Sequence, residues 1–297
     1  MDTDRTGTDA SDTGGPDTGG TATGSPGIER TDTEREGAEH FGRRYVGKAA
    51  ILTGAASGIG RATALRLSAE GARLLVVDRD EEGLKETVRL AEESNGAGGP
   101  RLVPVVADVG DEREARSAVA TAAERFGRID LLVNVAGMLS VTPLAQLGVD
   151  EWRRLLDVNA LGTMLFCREA LPHLIASKGV VINTASTSAT HAHPLMTAYA
   201  ASKGAVLAFT LSLAAELAPH GVRAVAISPG GVTTPMTRST RFPEGSEPVA
   251  AYYRRIVPQM GTLGAPEQIA GTIAFAGSAD AGYMTGVELR VDGGSHN

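Results

Sequence analysis

Cysteine is nearly absent from this sequence: Cys167 stands alone, so no internal disulfide framework is available. It has no cysteine or histidine companions close by in the chain, which removes a zinc cluster and leaves it as a small apolar residue of a helix. Long hydrophobic runs are missing too, none approaching the ~18 residues that span a bilayer. The first residues are polar and acidic, unlike an apolar leader, so the expected location is the cytoplasm, with no membrane partner. A surplus of basic charge is missing as well. The net charge is -7, and residues 1–45 hold ten Asp/Glu against five Lys/Arg, so -5 of it sits there and the rest of the chain is close to neutral. Such a body lacks the basic stripe that phosphate-backbone binding requires, which argues against a nucleic-acid protein.

Apolar residues are themselves rare at the start. Residues 1–44 are dominated by Thr, Asp and Gly, with almost no aromatic or branched aliphatic side chain before Phe41. Such a stretch cannot bury enough apolar surface to offset its chain entropy, and it reads as a disordered extension. Residues 45–297 have the opposite character. Short apolar runs at 49–53, 73–78, 102–107, 131–134, 180–184, 223–228 and 287–291 read as seven buried strands. Helical stretches lie between them, among them one with Ala62, Leu65, Leu67 and Ala69 on its apolar stripe and an Ala-rich one over 198–218. This alternation predicts a single α/β domain, a doubly wound seven-stranded parallel sheet with helices on both faces. Residues 233–258 form one long interruption near the carboxyl edge of that sheet, and loops of that length in a compact domain are functional covers or are disordered.

The first strand ends in Thr53 and Gly54, and Ser57, Gly58, Ile59 and Gly60 open the next helix. Glycines there let the backbone turn sharply and approach a pyrophosphate held by the helix N-terminus. Asp78 follows at the end of the second strand, where a carboxylate accepts hydrogen bonds from ribose hydroxyls and repels a 2′-phosphate; NAD is therefore favoured over NADP. Arg79, its neighbour, is a cation able to offset part of that repulsion.

Tyr199 and Lys203 lie four apart in a helical stretch, which stacks them on one face. A phenol near pKa 10 is a poor base at neutral pH, and an adjacent ammonium favours its phenolate, so the tyrosine is expected to titrate below about 10 and exchange a proton with an alcohol oxygen. Ser186 precedes the tyrosine by 13 residues, at the end of the fifth strand.

With its TGxxxGxG turn, its serine and its YxxxK pair, the chain resembles the short-chain dehydrogenase/reductase family from about Lys48 to the C-terminus, with a Rossmann-type fold. The resemblance implies that Ser186 binds the substrate oxygen, that Tyr199 is the acid/base, and that Lys203 also holds the nicotinamide ribose. It places Asp108 and Val109 near the adenine, and Asn134, Ala136 and Gly137 behind the fourth strand, with Val135 replacing an asparagine of the family's NNAG. Asn159, with Gly162, matches an NxxG motif whose asparagine helps hold a relay water. Pro229, Gly230, Val232 and Thr234 match a PGxxxT segment, in which the valine backbone and the threonine contact the carboxamide. Thr285, Gly286, Val291, Asp292, Gly293 and Gly294 match an ending that packs across subunits, which implies a homotetramer.

The expected activity is hydride transfer between NAD(H) and a secondary alcohol/ketone of a small, largely apolar molecule: steroid-like, terpenoid, polyketide or acyl. Met138, Leu139, Thr187, His191, His193, Leu195, Met196 and the 236–258 segment are expected to border the substrate. The His-x-His pair lacks a third ligand nearby, so no metal is expected. An NADPH-dependent 3-oxoacyl carrier protein reductase shares the pattern but is opposed by Asp78. An enoyl reductase has a longer Tyr-to-Lys spacing, and a non-catalytic dinucleotide-binding regulator is expected to lack Tyr199 or Lys203.

Overall fold

The computed structural model describes residues 42–95, 102–244, 252–253 and 256–296. Contacts divide the chain into a unit over Met1–Ala38 and a unit over Glu39–Asn297. The first unit, and with it nearly all of the expected extension, lies outside the described residues.

Seven strands form one sheet: β1 (Ala49–Thr53), β2 (Arg73–Asp78), β3 (Leu102–Val106), β4 (Leu131–Asn134), β5 (Val180–Thr184), β6 (Arg223–Pro229) and β7 (Val287–Val291). Their order is β3-β2-β1-β4-β5-β6-β7 and every pairing is parallel. Around it lie helices α1 (Gly58–Ala69), α2 (Glu81–Asn95), α3 (Glu112–Phe126), α4 (Val149–Leu156), α5 (Gly162–Ser177), α6 (Thr197–Leu217), α7 (Pro235–Ser239) and α8 (Pro266–Ala276).

The apolar runs become strands because both faces of the sheet are covered. Side chains alternate: Leu52, Leu74, Val133 and Ile182 pack with Leu67 of α1, Leu84 of α2 and Ile273 of α8. Ile51, Leu75, Leu132 and Val181 pack on the other side with Val119 of α3, Phe166 of α5 and Leu217 of α6. Each such side chain, fully withdrawn from water, contributes about 1.5–3 kcal/mol.

Not all seven strands are buried as expected. β3 and β7 each have one neighbour, so Val106 is 54% exposed and β7 carries half-buried side chains. The stripe read on α1 also shifts: Ala62, Thr63, Ala64, Leu67 and Ser68 are buried while Ala69 is exposed. The helix packs against α8 as well as the sheet, which widens its buried face.

α6 departs from the view that no stretch suits a bilayer, being long and apolar enough by composition. In this fold Val206, Thr210, Ala214 and Leu217 are buried and the helix packs on β6 and β5. The Arg44 guanidinium donates to both carboxylate oxygens of Glu70 at 2.7 Å. The Tyr45 hydroxyl donates to the Ala274 carbonyl at 2.6 Å.

The strand order reverses between β1 and β4. Crossovers leave these strands toward opposite faces, so their carboxyl ends part to form a crevice.

Candidate active site

A cleft of about 320 Å³ runs along the carboxyl ends of the central strands. At one end it meets the N-terminus of α1. Ser57 caps that helix with extended backbone but an uncommitted, exposed hydroxyl, and the first turn carries no acid. α3 is finished differently, with Asp111 accepting from the Arg113 and Glu114 amides and two glutamates in its first turn. The N–H groups and positive dipole end of α1 are thus left for an anion. Gly60 has to be glycine, since a Cβ there would lie 1.8 Å from the Gly54 carbonyl oxygen. Gly54, Gly58 and Ile59 line the same wall.

Asp78 and Arg79 follow along the cleft. The Asp78 carboxylate accepts from the Ala56 amide at 3.0 Å and the Asp80 amide at 3.1 Å, which fixes its charge beside the glycine turn. Asp108 and Val109 line the cleft beyond it. Asp108 accepts from the Gly110 amide at 2.9 Å and pairs with Arg154 at 2.6 Å. Burial works to raise its carboxyl pKa, but the Arg154 guanidinium and the Gly110 N–H outweigh that and hold it below the usual range.

Ala136, Gly137, Pro229, Gly230, Val232 and Thr234 form further wall. The Thr234 hydroxyl accepts from the Thr237 amide and caps α7, and a Cβ on Gly58 would lie 3.2 Å from the Thr234 side chain, so this segment sits against the glycine turn.

At the other end stand Ser186, Tyr199 and Lys203. Ser186 leaves β5 and caps a single turn over Thr187–Ala189 that packs on α6, which brings the serine to the helix carrying Tyr199 and Lys203. The Lys203 ammonium donates to the Thr184 carbonyl at 2.7 Å and is 4% exposed. Burial pulls its pKa down to about 8. Burial pushes the Tyr199 phenol up, against a lowering contribution from a hydrogen bond with Ser186. The sequence expectation of a phenol lowered by the neighbouring ammonium is therefore corrected: the low-dielectric surroundings disfavour phenolate and ammonium alike.

Three residues expected at the cofactor or catalytic site stand behind the wall rather than in it. Thr53 is buried, and its hydroxyl accepts from the Val135 and Ala136 amides, each at 3.2 Å, tying the exit of β4 to β1. Asn134 donates to Asn183 at 2.9 Å within the sheet. Asn159 occupies a π-helical turn over Asp157–Leu161 between α4 and α5. Its amide makes three hydrogen bonds, accepting from the Met138 amide at 2.8 Å and donating to the Met138 carbonyl at 3.0 Å and the Ser202 hydroxyl at 2.9 Å. Ser202 in turn donates to the Tyr199 carbonyl at 2.7 Å, so one buried asparagine links the loop after β4 to the helix of the tyrosine.

Of the residues expected around the substrate, Met138, Met236 and Thr237 line the cleft. His191 and His193 instead pack against His296, with ring centroids 4.2 and 5.3 Å away. No group of metal ligands exists among the described residues. The loop that carries them is tied down by the Thr142 amide donating to the Leu195 carbonyl at 2.8 Å and by the Tyr253 hydroxyl donating to the Pro194 carbonyl. Sequence reasoning missed Arg154, Ser188, Ser202 and His296. A serine directly preceding the YxxxK lysine was the one local signal on hand.

The open helix end, the glycine turn that excludes a Cβ, the fixed carboxylate of Asp78 and the length of the cleft fit a dinucleotide. A family model described as enoyl-(acyl carrier protein) reductase matches residues 54–296. The chain is 41% identical over 248 residues to the short-chain reductase protein NovJ of Streptomyces niveus, spanning 82% of this chain and 92% of that protein. It is 39% identical over 251 residues to 3β-hydroxysteroid dehydrogenase 1 of Eggerthella lenta, spanning 84% and 93%. A solved structure of a short chain dehydrogenase from Mycobacterium paratuberculosis bound to NAD superposes with a TM-score of 0.76 at 30% identity, covering 85% of this chain and 98% of that one.

Proposed function

The chain belongs to the short-chain dehydrogenase/reductase family, and from that membership we propose that it moves a hydride between NAD(H) and a secondary alcohol/ketone pair on a largely apolar small molecule. The observation that carries the reading is the meeting of Ser186, Tyr199 and Lys203 at one end of a cleft whose other end holds the open N-terminus of α1. A bound nicotinamide supplies the hydride acceptor or donor. The remaining chemistry falls to the chain. Tyr199 Oη exchanges a proton with the substrate oxygen, Ser186 Oγ holds that oxygen by a hydrogen bond, and the Lys203 ammonium supplies positive charge beside them. The four-residue Tyr-to-Lys spacing favours a carbonyl over an enoyl substrate.

Asp78 supports NAD(H) over NADP(H), because its anchored negative charge opposes a 2′-phosphate. Met138 and Met236 at the cleft support an apolar substrate, as does 39% identity to a hydroxysteroid dehydrogenase. The proposed assembly is a homotetramer, which light scattering at micromolar concentration tests.

Turnover across steroid-like, terpenoid, polyketide and acyl ketones and secondary alcohols, with each cofactor in turn, tests the rest. NAD(H)-dependent conversion within this panel is the expected result. Preference for NADP(H) would overturn the cofactor assignment, and absence of turnover on every member with either cofactor would overturn the activity.

A further inference from the structure

Ser186 is not an isolated hydroxyl. Its Oγ accepts from the Ser188 amide at 3.1 Å and from the Ser188 hydroxyl at 3.0 Å. Both serines are buried, at 8% and 4% exposure, so water has little access to reshuffle these bonds. A serine hydroxyl offers two lone pairs and one proton. When both lone pairs are taken by Ser188, only the proton of Ser186 remains to be shared, and the cleft with Tyr199 is what it faces.

We propose that Ser188 is a positioning residue which fixes the polarity of Ser186, so that Ser186 donates to the substrate oxygen and leaves Tyr199 as the only acceptor of the alcohol proton. This rests on the assignment of Ser186 and Tyr199 made above. A serine with a free lone pair has two ways to meet an alcohol. It can donate to the oxygen, or it can accept the O–H that should point at Tyr199 and so hold the substrate in a pose from which the proton cannot pass. The two bonds from Ser188 remove the second pose. During oxidation the alcohol O–H bond breaks and its proton passes to the Tyr199 phenolate oxygen, the carbinol C–H bond breaks and its hydride passes to NAD+, giving ketone and NADH, and the Ser186 O–H bond stays intact. Before substrate binds, the same Ser186 proton is directed at Tyr199 Oη and favours its phenolate, in keeping with the lowering influence of that serine on the phenol.

The test is a double-mutant cycle on the full-length chain with NAD(H) and the best substrate of the panel, recording kcat, both KM values, melting temperature and the pH profile of alcohol oxidation. Ser188→Ala is expected to lower kcat by about tenfold, the scale of one well-placed hydrogen bond, with the cofactor KM unchanged. Its oxidation profile is expected to move to higher pH, and Ser188→Thr, which keeps the hydroxyl, to recover most of the rate. Ser188→Cys preserves the volume but donates weakly, and serves in place of the alanine variant should the latter not fold. In a Ser186→Ala background, Ser188→Ala is expected to add no further loss. Wild-type kcat in both Ser188→Ala and Ser188→Cys would overturn the proposal while leaving the activity standing. So would an equal loss in the presence and absence of Ser186, the mark of a merely structural role. Wild-type turnover in Ser186→Ala would instead overturn the serine assignment itself, and the proposal with it.

Discussion

At the end of the cleft that begins with α1, charge is open to solvent: Asp108 is bound to Arg154, with side chains 34% and 40% exposed. At the end formed by β5 and α6, the charge of Lys203 is 4% exposed and meets the neutral carbonyl of Thr184. An exposed pair is screened by water and contributes modestly, about 0.2–1 kcal/mol. A buried ammonium with only a carbonyl partner is strongly perturbed, and burial brings its pKa down to about 8. The first arrangement suits holding a ligand in place, and the second suits changing charge during a reaction.

The largest expected effect lies at the buried end. Tyr199→Phe should lower kcat by ~10²–10⁴-fold, the usual contribution of a general acid/base, while NAD affinity from calorimetry stays near wild type. Near wild-type turnover in that variant would erase the distinction between the two ends.

Next comes the pH dependence of cofactor binding to the free protein. Because the pKa of Lys203 is lowered to about 8, its ammonium is present below that pH and is lost as pH rises through it. NAD affinity should therefore weaken between about pH 7 and 9 if Lys203 grips the nicotinamide ribose, and Lys203→Ala should bind weakly at every pH. A flat profile in the unaltered protein would show that the buried charge is not used for binding.

A smaller effect is expected at the exposed end. Asp78→Ala should narrow the preference for NAD(H) over NADP(H) in kcat/KM by reducing repulsion of a 2′-phosphate, leaving kcat with saturating NAD nearly unchanged. An unaltered preference would assign discrimination elsewhere. Smallest of all, Arg154→Ala should raise the KM for NAD by about fivefold at most, since it removes one half-exposed ion pair, and added salt should blunt the difference. A hundredfold loss would mean that Arg154 touches the ligand directly.

Much of the fold was legible because its signals are local. Strands covered on both faces read as continuous apolar runs, and five of the seven occupy the same residues in the structure as in the sequence reading. The reading overstated burial only where a strand has one neighbour, as at β3 and β7, which no pattern within the strand itself reveals. The same holds for the site. A glycine turn after a strand, and a tyrosine and lysine four apart on a helix, are short-range geometries set by the backbone period. Arg154 meets Asp108 across 46 positions, and His296 meets His191 from the far end of the chain, so neither partner was visible nearby.

By itself, the sequence determined the order of the elements, the crevice where the crossovers diverge, and the chemical types brought to its two ends. These follow from hydrophobic periodicity, turn residues and side-chain chemistry, which act over a few residues at a time. Only the tertiary structure decided that Thr53, Asn134 and Asn159 stand behind the wall, that Ser188 fills the lone pairs of Ser186, and that the phenol is pushed up instead of down. Hydrogen-bond partners and desolvation depend on which distant segments close over a group, and that closure is a property of the packed chain.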